Sequence, residues 1–165
     1  IITVYEERIK MLNERNNKVN ITRDGNVIKL SCGDATAQIL CIPEDIGECK
    51  NILNGLLNSE GVSQIQFDDI ANLVDPNKPV VVKHGKACGE NRGLNAAKQV
   101  LADDREVNAI VSINVSKYES IPEVEIAITE INNNMSADAT TIWGVGFEDR
   151  DEDSIEINVM YFLIK

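Results

Sequence analysis

Residues Pro79–Val115 read PVVVKHGKACGENRGLNAAKQVLADDREVNAIVSINV, and the change of hydrophobic period along them decides the fold. Pro79-Val80-Val81-Val82-Lys83 holds an unbroken apolar run in Val80–Val82, the mark of a short strand buried on both faces. Glycines at 85 and 89 then lead into a helix expected from about Glu90 to Ala102, with Leu94, Ala97 and Leu101 as its inner stripe. A second strand is expected from Ala109 to Val115. Downstream, Ser120-Ile121-Pro122-Glu123 opens another helix with a capping box and an early proline, and Val124, Ala127, Ile128, Ile131 and Met135 face inward. Two long strands close the chain, Thr140–Phe147 and Ile155–Ile164, joined by the acidic turn Glu148–Asp153. The order strand, helix, strand, helix, strand, strand describes an α+β fold: a mixed four-stranded sheet with two helices on one face.

Upstream of that unit the pattern is different. Ile2, Tyr5, Ile9 and Leu12 fall at helical steps, and Asn16-Asn17 ends that helix. Val19 and Ile21, then Ile28 and Leu30, alternate around Asp24-Gly25, a pair suited to the positive φ angles of a hairpin turn. A third strand, Gln38–Ile42, stops at Pro43, where a helix begins with Ile46, Cys49, Ile52, Leu53, Leu56 and Leu57 as its apolar face. After a break at Ser59-Glu60-Gly61, Phe67–Val74 forms a short helix ended by Asp75-Pro76. The expected division is therefore a helix, hairpin and connecting helix in residues 1–58 and the α/β unit in residues 59–165. A lone hairpin with a helix rarely holds itself together, so residues 1–43 are expected to pack against the main sheet or against another copy.

With 165 residues, 43% apolar and 26% charged, the chain has material for a real core, which excludes disorder and collagen-like structure. A net charge of -11, with lysine and arginine scattered, argues against nucleic acid and anionic membrane surfaces as partners. No apolar run is long enough for a membrane helix, and the expected location is the cytoplasm. Cys32, Cys41, Cys49 and Cys88 match neither a redox pair nor a zinc ribbon, and are expected to be reduced and mostly buried.

Three stretches could carry chemistry. Lys83, His84, Gly85 and Lys86, with the amides near Gly89, could bind a small anion on a strand-to-helix turn, although the spacing fits neither G-x-x-x-x-G-K-[ST] nor G-x-G-x-x-G and a plain turn is the simpler reading. Glu148–Asp153 places five carboxylates around Arg150, but it lacks the glycine and distal glutamate of a calcium loop and reads as a solvated turn. The stretch Gly61-Val62-Ser63-Gln64-Ile65-Gln66-Phe67-Asp68-Asp69-Ile70 puts two carboxylates and two amides on a loop entering a helix. A carboxylate there could polarise water for hydrolysis of a phosphoanhydride held by another surface, and it could equally just cap the helix. No nucleophile-base pair, metal set or cofactor fingerprint of an autonomous enzyme is legible.

Four motifs in order resemble one family. Gly61–Ile70 is similar to G-L-I-N-[VL]-D-F-A-D-V, and Cys88-Gly89-Glu90-Asn91-Arg92-Gly93-Leu94-Asn95-Ala96-Ala97 to S-G-E-[DN]-R-A-x-E-A-A. Ala137-Asp138-Ala139-Thr140-Thr141-Ile142-Trp143-Gly144 parallels D-A-N-I-I-[FW]-G, and Ile155–Val159 parallels I-[KR]-V-T-V. From about Gly61 to Phe162 the chain thus resembles the C-terminal half of FtsZ, the cell-division GTPase of the tubulin superfamily. The resemblance implies a four-stranded sheet with two helices, preceded by a loop that inserts into the nucleotide pocket of the next subunit, where two acids position or activate the attacking water. By position the second acid is Asp69; Gln66 stands in place of the first and Gln64 in place of the family asparagine. Glutamine orients water but cannot accept its proton, so activation is expected to be weak unless Asp68 substitutes.

The family's glycine-rich G-G-G-T-G-[ST]-G loop does not occur in residues 1–60, which are too few for a nucleotide domain of about 150 residues. The resemblance therefore implies no cofactor on this chain, GTP being held by a partner surface or by a domain outside this sequence. The expected partner is a tubulin-like or FtsZ-like subunit or a second copy of the chain. The expected role is assembly or activation through protein contacts, with a stand-alone regulatory or anion-binding module as the alternative.

Overall fold

The computed structural model describes residues 18–58, 65–116, 121–149 and 152–164. The expected first helix, Gln64 and Ser120 lie outside the described residues. Strands β1 (Asn20–Asp24), β2 (Val27–Cys32) and β3 (Ala35–Leu40) form an antiparallel three-stranded sheet in that order. The first turn follows from glycine: Gly25 takes φ +59° between the paired Asp24 and Val27, so the two central residues are Gly25-Asn26, one step later than Asp24-Gly25. Gly33, also at φ +59°, makes the second turn.

A single 3-10 turn, Pro43–Asp45, leads into helix α1 (Ile46–Asn58), which buries Ile46, Cys49, Ile52, Leu53 and Leu56 of the apolar face read from the sequence and leaves Leu57 half-buried. The short helix α2 (Phe67–Ala71) follows. Beyond it come β4 (Val81–Cys88), α3 (Arg92–Lys98), β5 (Val107–Ser116), α4 (Ile121–Asn133), β6 (Thr141–Glu148) and β7 (Ser154–Leu163). The second sheet runs β4-β7-β5-β6, with β5 and β6 parallel and the other neighbours antiparallel. This is the expected mixed four-stranded sheet.

Strand periodicity divides the residues of this sheet between two cores. Odd-numbered residues of β5 and β7, among them Val111, Ile113, Ile157 and Val159, pack with Ala96, Ala97 and Val100 of the α3 segment and Val124, Ala127 and Ile131 of α4. The even-numbered Ile110, Met160 and Phe162 pack instead with α1, α2 and the three-stranded sheet. Residues 18–43 therefore lie against the back of the main sheet. A parallel bridge between Cys41 and Val80 joins the two sheets, and Val80 N–H donates to Leu40 O at 2.9 Å. The Asn58 side chain clamps the other end, accepting from Val19 N–H at 3.0 Å and donating to Val19 O at 2.9 Å.

Two expectations need correction. The strand expected to stop at Lys83 runs through to Cys88, so Lys83–Lys86 is strand and the turn lies at Gly89–Asn91. The following helix is correspondingly short, Arg92–Lys98, and its buried residues are Gly93, Ala96 and Ala97, with Val100 just beyond, while Leu94 and Leu101 are half-buried. The reason is close approach: a Cβ on Gly85 would stand 2.5 Å from Ala96 O, and one on Gly93 would stand 2.1 Å from Glu123 O. Backbones that near one another leave room only for small residues, so the larger leucines are displaced to the rim.

The cysteines are free, with Cys41 and Cys49 buried, Cys32 half-buried and Cys88 exposed. The buried pair is hydrogen-bonded thiol to thiol; the bond and burial push the Cys49 thiol up, and the same bond draws Cys41 down. Among the described residues no group of His, Cys, Asp or Glu is placed to hold a metal ion, and no helix is long and apolar enough to cross a membrane.

Candidate functional site

The loop entering α2 is built on three buried anchors. Ile65, Phe67 and Ile70 sit in the core shared with α1 and the three-stranded sheet, and between them Gln66, Asp68 and Asp69 face solvent. Apolar side chains at these steps nail a short segment down while its polar residues stay outward. The carboxylate half of a capping box then fixes the polar residues: Asp69 Oδ2 accepts from Gln66 N–H at 2.9 Å, while Asp69 N–H donates to the Gln66 carbonyl at 3.1 Å. The capping role weighed from the sequence is thus present for Asp69. The same bond also orients an exposed carboxylate, which is what positioning a water requires. Asp68 stands beside it without entering the box.

The structure does not assemble the lysines into one site. Residues alternate sides along a strand, so Lys83 falls on the helix side of the sheet and His84 and Lys86 on the other. Lys83 Nζ donates to Leu101 O at 2.8 Å and pairs with Asp103 at 2.9 Å; Lys86 Nζ lies 3.2 Å from Glu152. His84 Nδ1 meets Asn158 Oδ1 at 2.7 Å. The amide of Lys86 donates to Gln99 Oε1 at 3.1 Å, and that of Gly89 to Asp153 O at 3.2 Å. Gly85 serves the close packing of Ala96. The cations are neutralised and the amides are engaged, so the functional reading is carried by the loop.

One feature escaped the sequence reading. Between α1 and the back of the sheet lies a cleft of about 440 Å³, lined by Glu48 and Asn51 on one side and Ser112, Asn114, Glu156 and Asn158 on the other. The signal was present in the alternation of β5, where Ser112 and Asn114 alternate with the aliphatic Val111, Ile113 and Val115. Polar residues at every second position of a central strand mark a face that is not packed.

No family model matches the chain. In sequence it is 25% identical over 116 residues to cell division protein FtsZ 1 of Rhizobium meliloti, a match covering 66% of this chain and 20% of that protein. The chain therefore spans about a fifth of the length of that relative. In structure it is similar to a mutant FtsZ from M. jannaschii, with a TM-score of 0.61 and 14% identity over 72% of this chain and 38% of that one. It is also similar to an empty FtsZ dimer from M. jannaschii, with a TM-score of 0.58 and 14% identity over 74% of this chain and 40% of that one. The chain has the fold of a part of FtsZ, in keeping with the C-terminal character of its motifs, and is similar in sequence to a cell-division protein of that name.

Proposed function

We propose that this chain is an assembly and activation domain of a tubulin-like cytoskeletal system, which docks the Gln64–Ile70 loop onto the nucleotide surface of a neighbouring GTPase and holds no GTP of its own. The observation that carries this reading is the exposed Asp69 carboxylate, fixed by Gln66 N–H on a base of buried Ile65, Phe67 and Ile70. A carboxylate held in one orientation before the partner arrives loses little freedom on docking and can align a water against a bound phosphate. Gln66 in place of an acid makes the contribution one of orientation more than of proton removal. That one related solved structure is an FtsZ dimer supports a role exercised between protein surfaces.

The test is GTP turnover by an FtsZ-type nucleotide-binding subunit mixed with this chain. Asp69→Asn keeps an oxygen for the capping bond and removes the charge. It is expected to leave co-sedimentation of the two proteins intact while lowering stimulated turnover about tenfold. Unchanged turnover in the intact complex would remove the activating role, and saturable binding of guanine nucleotide by the isolated chain would overturn the reading as a whole.

A further inference from the structure

The outer edge of the main sheet at β6 carries a second, independent surface. β6 ends the strand order, with β5 on one side and no strand on the other among the described residues. Ala109 N–H donates to Thr140 O, and Ala109 is level with Thr141. In a parallel pair this places the backbone groups of the even-numbered residues of β6 toward β5, so those of Thr141, Trp143, Val145 and Phe147 point outward. The same residues carry the exposed apolar side chains: Trp143 is 49% exposed and Phe147 48%. From Thr141 to Phe147 the strand holds no charge, in a chain whose net charge is -11, and it has no proline or lysine to protect its edge.

We infer that β6 is a homotypic interface, on which a second copy of this chain adds its own β6 antiparallel to form one continuous eight-stranded sheet. The strand is self-complementary in one register. With Val145 on the two-fold axis, Trp143 lies opposite Phe147 of the second copy and Phe147 opposite its Trp143, all on the helix side of the sheet. Each of these is a hydrogen-bonded pair between outward-pointing residues, giving about six backbone hydrogen bonds, and aromatic side chains at directly opposed positions are within contact range. On the other face Gly144 meets Gly146, where no side chain obstructs the approach.

Charge does not oppose this register. Glu148 of one copy lies level with Ile142 of the other, so the two Glu148 side chains are separated by six residues of strand, about 20 Å. That exceeds the screening length of about 8 Å at physiological salt. The pairing buries a modest area, so the dimer is a weak one. Its affinity rises with salt as the repulsion between two acidic bodies is screened. This interface is separate from the Gln64–Ile70 loop and goes beyond the reading proposed above, and the Asp69→Asn variant is expected to dimerise like the parent.

Sedimentation equilibrium of the 165-residue chain from micromolar to millimolar concentration tests it, together with concentration-dependent amide exchange. A monomer–dimer equilibrium is expected, with the amides of Trp143, Val145 and Phe147 gaining at least tenfold protection in the dimer and those of Gly144 and Gly146 unchanged. Val145→Pro removes an outward N–H without touching a bond to β5, and Trp143→Lys places a charge in the aromatic pair; each is expected to weaken dimerisation at least tenfold. A monomer at millimolar concentration and raised salt overturns the inference. So does a dimer in which the odd-numbered amides of β6 stay unprotected, a result that stands even if a variant fails to fold.

Discussion

The two faces of the four-stranded sheet are made from the same strands and do opposite things. Across the middle of the helix face one rung reads Gly85, Ile157, Ile113, Val145, all small or apolar, beneath α3 and α4. The neighbouring rungs on the other face read His84, Asn158, Ser112, Gly144 and Lys86, Glu156, Asn114, Gly146. Only the rung Val82, Met160, Ile110, Ile142 is apolar on that side, and there α1 and the small sheet pack down. One face is filled to the backbone, while the other is closed at one end and left polar at the other. Rigidity of the fold therefore resides on the helix face, and the polar end is where substitutions are tolerated.

The largest expected effect is at the centre of the filled face. Ile157→Ala should destabilise the chain by about 2–5 kcal/mol, because the rigid surroundings cannot collapse onto the cavity. The denaturation midpoint should fall with an unchanged slope. Asn158→Ala, one residue along and on the other face, loses the hydrogen bond to His84 and should cost about 1 kcal/mol. Equal losses for the two would abolish the contrast. Next comes Gly93→Ala. Its methyl group would stand 2.1 Å from Glu123 O, so the starts of α3 and α4 must separate and the bond from Gly93 N–H to Glu123 Oε2, now 2.7 Å, must stretch. A cost of about 1–3 kcal/mol is expected in thermal or urea unfolding.

This contrast also explains what could be read from the sequence. Strands β5 and β7 and helix α4 were legible because their aliphatic residues keep period: Val124, Ala127 and Ile131 were named as inward-facing and are buried. The first hairpin was legible because Gly25 supplies the positive φ. The extent of β4 was not, since Lys83, His84, Gly85 and Lys86 have the composition of a turn, and only the nearness of Ala96 accounts for a glycine in mid-strand. In the stripe read for α3, Ala97 is buried but Leu94 and Leu101 are not, because size stood in for burial where close backbone approach selects the smallest residues. At the candidate site the cap at Asp69 was legible from its place at the start of a helix, whereas the buried anchors Ile65, Phe67 and Ile70 emerge only with the packing against α1 and the small sheet. The cleft under α1 and the edge position of β6 depend on strand order, which no local pattern carries.

A smaller effect tests how tightly the helix face is sealed. Tyr161 is buried, and its hydroxyl donates to Val100 O at 2.6 Å. Burial, and then the carboxylate of Asp103, push its phenol above the usual range. The unfolded phenol ionises near pH 10 while the folded one stays protonated. Above that pH the native state holds more protons than the unfolded state, and stability falls as pH rises. Urea titrations at pH 8 to 11 should show this decline. Tyr161→Phe should remove the tyrosine's share of it and cost about 1 kcal/mol at neutral pH, where Val100 O is left without its donor. A decline of equal steepness in the variant would mean that the phenol is not sealed.

The smallest effect is expected at one of two glycines given the same chemical change. Gly85 and Gly146 both sit in edge strands of one sheet, and at each an added Cβ would come within 3 Å of an oxygen. At Gly85 that oxygen is the backbone carbonyl of Ala96, with Val100 and Gln99 also close, so Gly85→Ala should resemble Gly93→Ala in cost. At Gly146 the near atom is Asn114 Oδ1 at 2.8 Å, the end of a side chain lining the open cleft, which can turn away. Replacing a strand glycine also lowers the entropy of the unfolded chain, which favours folding by several tenths of a kcal/mol. Gly146→Ala should therefore change stability by less than about 0.5 kcal/mol in either direction. A loss at Gly146 as large as that at Gly85 would mean that Asn114 is held as firmly as backbone, and that the polar face is as tightly built as the apolar one.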